Sequence, residues 1–194
     1  ELAETIREDL IAKLTGERAS YNRVFTTNGI ACTTASVIAA AQGFAQLDSI
    51  GDEDVDDICR AHLVLACFNA WQPGVFALSA WDLLGTLPVP DDTVAELISG
   101  GDTRWIHRGA HDLIDADPAA TASSSGMPRG RSLYGSITAQ LADSTSFVSQ
   151  LKHILRIRET HGIDVASQID IPEVAHPGML VMVHRLDEGD SSRD

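Results

Sequence analysis

The sequence is short of positive charge, of cysteine and of long apolar runs, and each shortage excludes something. Fourteen Lys and Arg stand against 28 Asp and Glu, a formal net charge of −14 over 194 residues. That balance disfavours nucleic acid and anionic membranes as partners, because both demand compensating positive charge. It fits a neutral substrate such as a sugar, and equally a salt-adapted surface. No apolar run reaches the length needed to cross a bilayer, and no signal-peptide pattern is present, so a soluble, cytoplasmic chain is expected. Cys32, Cys59 and Cys67 form no even disulfide framework. All three lie in apolar helical patterns, where reduced, buried thiols are expected.

Several chemical signatures are also missing. There is no G-x-S-x-G elbow and no Gly-rich nucleotide fingerprint, and Ser123–Ser125 belong to a low-complexity stretch. Cys59 and His62 are one helical turn apart but lack a second close pair. His107 and His111 are four apart but lack the glutamate of the zinc-protease pattern. Ordinary packing is therefore expected at both places, with no metal and no cofactor. Arg129 and Arg131 offer a phosphate contact, but two arginines in a polar stretch are expected to be merely solvated.

What is present reads as an α/β chain whose 44% hydrophobic content supports a sizeable core. Thr5–Leu14 has helical spacing, with Ile6, Leu10, Ile11 and Leu14 on one face. Asn28-Gly29 marks a turn, and Thr33 or Thr34 caps a small-residue helix ending at Gly43. GDEDVDD (51–57) places negative charge at the start of a helix that is apolar almost all round, so a buried helix is expected before Pro73. Residues 85–134 are rich in Pro, Gly and Ser, with a short helix expected near 91–99. Such an excursion suits a lid or binding loop, and its 116–132 part also suits a disordered linker. Helical spacing returns at FVSQLKHILRIRETHG, with Gly162 as the stop. IDIPEV and MLVMVHRL then read as two strands joined through His176-Pro177-Gly178, the start of a separate β domain.

One stretch raises a sharper question: QPGVFALSAWDLLG (72–85). Val75–Ala80 has the length and composition of a strand buried on both faces, as in a parallel sheet. Trp81 and Asp82 follow where such a strand leaves the core, which is where α/β folds bind ligands. An edge tryptophan followed by a helix-capping aspartate is the other reading of the same residues.

These elements resemble the C-terminal part of the catalytic barrel of the α-amylase superfamily, glycoside hydrolase family 13. The eighth barrel strand of that family carries a pattern like P-G-x-P-x-x-Y-Y-G-D-E-x-G. Here Pro73, Gly74, Asp82 and Gly85 match without a gap, while Phe76, Ser79, Ala80, Trp81 and Leu83 depart from it. The run Leu151-Lys-His-Ile-Leu-Arg-Ile-Arg158 is similar to the family's last barrel helix, and HPGMLVMVHRL to the first strands of its closing β-sandwich. FTTNGIACTTASVIAA, FNAWQPGVFALSAWDLLG and GDTRWIHRGAHDL look most like the trehalose synthase or maltose glucosyltransferase branch.

The resemblance implies a partial (β/α)8 barrel over residues 1–162 and the start of a β domain over 163–194. A closed barrel needs about 250 residues, so this chain would hold only its last units. It also implies a retaining enzyme acting on α-linked glucosides such as maltose or trehalose by glucosyl transfer or rearrangement. Retaining chemistry needs two carboxyl groups about 5 Å apart. The family's N-H-D motif is absent here, so the catalytic carboxylates are expected outside this sequence and the isolated segment is expected to be inactive. The chain opens at Glu1 without methionine, in keeping with a piece of a longer protein.

Substrate-side contacts remain. Trp81 and Asp82 close the strand-like run, and GDTRWIHRGAHD (101–112) gathers Arg104, Trp105, His107 and Arg108. A tryptophan face stacks on a sugar's apolar C–H surface while Arg, His and Asp bond its hydroxyls. The competing reading of that loop is self-pinning by Asp102 with Arg104, or Arg108 with Asp112. A rival for the whole chain is an acidic, mainly helical interaction or regulatory domain without catalytic activity. An open half-barrel would expose sheet edges and apolar surface, so self-association is also expected.

Overall fold

A computed structural model describes residues 2–26, 29–107, 109–110, 117 and 120–186. The chain divides into two units. One combines the described residues up to His62 with Leu78–Ser149, and the other combines Leu63–Ala77 with the described residues from Gln150 onward.

The first unit opens with helix α1 (Leu2–Leu14), longer at its start than the apolar spacing predicts. Its face is real but thinly covered: Ile11 and Leu14 are half-buried, whereas Leu2, Ile6 and Leu10 are exposed. Its last carbonyls are capped by side chains, Thr15 Oγ1 donating to Ile11 O at 2.6 Å and Asn22 Nδ2 to Leu14 O at 2.9 Å. Strands β1 (Arg23–Thr26) and β2 (Gly29–Ala31) then pair antiparallel, with Val24 opposite Ile30; Asn28 of the expected turn lies outside the described residues. Helix α2 (Thr34–Ala41) starts as its caps dictate, Thr33 Oγ1 accepting from Ser36 N at 3.2 Å. Its small residues let Ala35, Ile38 and Ala39 pack closely with Ile50, Ile58 and Leu87 in the main core of the unit.

Helix α3 (Asp52–Ala70) begins at the acidic cluster, where Asp54 Oδ2 accepts from Gly51 N at 2.8 Å. Ile58 and His62 point into the first unit's interior. The expectation of a helix buried all round is corrected within the second unit. Ala66 and Ala70 are buried there, but Val64, Leu65 and Phe68 are exposed. An apolar circumference needs cover on every side, and the described residues supply it on one.

The expected strand at 75–80 is also corrected. Val75–Ser79 carries no ladder, and Val75 is 96% exposed. Helix α4 (Ala80–Leu84) follows at once and ends on Gly85 in the left-handed region, φ +59°. A continuous apolar run signals a buried strand only when neighbouring strands exist to hydrogen-bond it.

The excursion after Gly85 is knitted back on itself. Its two arms pair where Leu87 N donates to Arg131 O at 2.8 Å and Tyr134 N to Leu84 O at 3.0 Å, with an antiparallel bridge between Thr86 and Ser132. Gly130 is required there, since a Cβ would lie 1.9 Å from Leu87 O. Between the arms lie helix α5 (Ala95–Ile98) and a 3₁₀ turn, Thr103–His107. Val89, Val94 and Ile106 form a second small core with Ala31. Arg129 and Arg131 are spent on backbone, bonding Asp117 O and Ile50 O respectively. Of the 116–132 segment, residues 117 and 120–132 are described, and the latter turn tightly, Ser123 N donating to Met127 O at 2.8 Å. Helix α6 (Ile137–Ala142) and the first residues of α7 (Phe147–Thr160) complete this unit.

In the second unit, α7 ends at Gly162 as expected, with Ile163 N donating to Arg158 O at 3.0 Å. Strands β3 (Ser167–Asp170) and β4 (Val183–Arg185) pair antiparallel, shorter than the two predicted runs, and every β3 residue is exposed. Among the described residues, the strands form two separate two-stranded sheets.

Candidate functional site

Asp82 faces inward. Ser79 enters α4 in extended conformation, and its N–H donates to Asp82 Oδ2 at 3.1 Å, so the carboxylate caps the helix that carries it. Only 6% of Asp82 is exposed. Its other oxygen, Oδ1, lies 3.5 Å from Nε2 of His62, an ion-pair separation looser than a full hydrogen bond, and the Thr34 side chain also bonds the carboxylate. Burial pushes the Asp82 carboxyl up. The neighbouring His62 and Thr34 side chains and the Ser79 N–H outweigh that and hold it below its ordinary value.

His62, 1% exposed, completes a buried line. Its Nδ1 is 3.0 Å from the Tyr134 hydroxyl, and its ring lies 4.4 Å from that of Phe147, which in turn stacks on Tyr134 at 5.3 Å. An ionised Asp82 requires N–H, not a lone pair, on the facing Nε2. With that N–H on Nε2, Nδ1 is left to accept the Tyr134 hydroxyl proton. Burial raises the Tyr134 phenol strongly, with Cys59 and Asp82 adding to it, so Tyr134 remains a donor. Cys32 is pushed up to about 11 by burial and by Asp82, which makes it a neutral packing thiol rather than a nucleophile.

On the outer side of the same turn, half-buried Trp81 meets His107, with ring centroids 5.3 Å apart and planes at 42°. His107 ends the 3₁₀ turn, which is anchored by fully buried Ile106 and by Val89 N donating to Ile106 O at 2.6 Å. Two residues 26 positions apart in sequence are thus brought together from two fixed elements.

Arg104 is placed differently. Its guanidinium forks onto Asp102, Nε to Oδ1 at 2.7 Å and a terminal nitrogen to Oδ2 at 2.8 Å, and it covers the Phe25 ring at 4.2 Å. The self-pinned reading of this loop therefore holds for Asp102–Arg104. Trp105 is half-buried in the same 3₁₀ turn. Arg108, and with it His111 and Asp112, lies outside the described residues. Sequence reasoning missed Tyr134 altogether and weighed His62 only as a metal ligand beside Cys59. The available signal was a histidine on the inward face of an otherwise apolar helix, which needs a polar partner when buried.

Among the described residues, no three His, Cys, Asp or Glu side chains cluster as a metal site, and no helix is long and apolar enough to cross a membrane. Compared with family models, curated proteins and solved structures, the chain gives no match in any of the three.

Proposed function

We propose that this chain is the C-terminal part of a cytoplasmic, retaining α-glucoside-processing enzyme of the α-amylase superfamily, and that it supplies substrate contacts rather than catalytic carboxylates. The observation that carries this reading is the Trp81–His107 pair, an aromatic face beside an imidazole at the end of the strand-eight-like run. An indole stacks on a glucose ring's C–H face while an imidazole reaches its hydroxyls. Asp82 is no nucleophile here. Its named partners are His62, Thr34 and Ser79, whereas retaining chemistry sets a second carboxyl group about 5 Å away. Titration with maltose and trehalose, followed by tryptophan fluorescence, should give saturable binding with no turnover. Turnover by this chain alone would overturn the division of labour.

A second reading, an acidic interaction domain, draws on a different feature. Leu10, Leu14, Ala40 and Ala41 line an open groove of about 570 Å³ together with Lys13 and Arg18. This reading predicts no response to any sugar.

A further inference from the structure

We propose that Tyr134, His62 and Asp82 form a positioning relay for the glucoside-contacting face. They touch no substrate atom but fix the first turn of α4, and through it the ring of Trp81 against His107. The inference rests on the reading of Trp81 as a sugar contact and assigns that site its control element.

A five-residue helix has almost no stability of its own, because nucleating one turn costs more than its few bonds return. The direction of Trp81 is therefore set by what holds α4 from outside. At its C-terminal end, Thr86 N donates to Trp81 O at 2.9 Å and Gly85 N to Asp82 O at 3.1 Å. At its N-terminal end the hold is the Asp82 carboxylate, which grips Ser79 with one oxygen and faces His62 with the other.

His62 can serve Asp82 only if its Nε2 carries the proton, and Tyr134 is the group that enforces this. A phenol aimed at Nδ1 keeps that nitrogen as an acceptor, and Phe147 on the ring face keeps the imidazole from turning. The remaining groups facing the relay, the Thr34 hydroxyl and the Cys32 and Cys59 thiols, are neutral; burial raises both thiols. The Asp82 carboxylate thus orients the line, with the Tyr134 hydroxyl 3.0 Å from Nδ1 and Nε2 facing Oδ1 at 3.5 Å. A merely structural core position would favour an apolar trio, since replacing buried ionic groups by well-packed hydrophobes is often neutral or stabilising.

The test uses the whole chain labelled with 5-fluorotryptophan, whose fluorine resonances report Trp71, Trp81 and Trp105 separately once Trp81→Phe assigns the middle one. Tyr134→Phe keeps the ring on Phe147 and removes only the phenol proton. It is expected to move the Trp81 resonance, leave that of Trp71 in place, and weaken maltose binding about three- to tenfold, the worth of about one net hydrogen bond. His62→Gln, which retains an N–H donor, should perturb Trp81 less than His62→Leu. An unmoved Trp81 resonance in Tyr134→Phe and His62→Leu, with only thermal stability lowered, overturns the relay. If the unaltered protein binds neither maltose nor trehalose, the sugar reading falls by itself and the Trp81 resonance still decides the relay.

Discussion

The Tyr134 ring lies directly over Gly85: a Cβ placed on that glycine would sit 2.6 Å from the ring carbons. Gly85 is also in the left-handed region at φ +59°, so an alanine there meets both a clash and backbone strain. Gly85→Ala should destabilise the first unit by about 2–3 kcal/mol. A thermal melt should show that as a fall of roughly 4–12 °C. The same change at Gly43, with nothing within 4 Å, is strained only by its φ of +92° and should cost less.

Asp82 gives the first unit an acid-sensitive joint. Its folded-state pKa lies below the ordinary value of 3.8, so it contributes stability above that value and loses it as pH falls through the lower folded value. Melts between neutral pH and pH 2 should show Asp82→Asn flattening part of the acid loss. An unchanged acid profile in that variant would mean that the carboxylate is not held ionised by its neighbours.

In the second unit, Arg158 takes over the end of a helix. Its guanidinium donates to the carbonyls of Ala70, Gln72 and Gly74, the Gln72 bond measuring 2.7 Å, and the residue is buried. Those carbonyls have no helical partner, and losing a charged donor to buried oxygens costs about 2–4 kcal/mol. Arg158→Ala should therefore speed amide exchange around residues 70–74 far more than in α2. Equal acceleration in both places would contradict this local role.

How much of this was legible in the sequence depended on how local the cause was. Thr33, Gly162 and the Asp52–Asp54 cluster act on residues within one helical turn, and their elements begin or end where the sequence indicates. The Val75–Ala80 run failed because a strand is defined by partners remote in sequence, and α3 failed for a similar reason. At the site, side-chain chemistry singled out Trp81 and His107 separately but not their meeting, whereas the bond of Arg104 to Asp102, two residues away, was one of the two readings of its loop. Tyr134 was invisible because nothing near it in sequence announces His62, 72 positions earlier.

The apolar surface left by those failures has its own consequence. Val64, Leu65 and Phe68 on α3, and Ile169, Ile171 and Leu180 around the hairpin, are exposed in the second unit. Exposed apolar side chains of this kind, on a unit whose two-stranded sheet has unpaired edges, drive association. Sedimentation at rising concentration should show weight-average mass climbing above the monomer's 20.8 kDa. A constant monomer mass would contradict it.

The central claim is that Trp81 and His107 form a face for an α-linked glucoside, and calorimetric titration with maltose tests it most directly. The account predicts saturable binding to the unaltered chain, at least tenfold weaker for Trp81→Ala and weakened for His107→Ala, with a β-linked disaccharide binding poorly. Equal affinity of all three proteins for maltose, or no heat from maltose and trehalose alike, would contradict it.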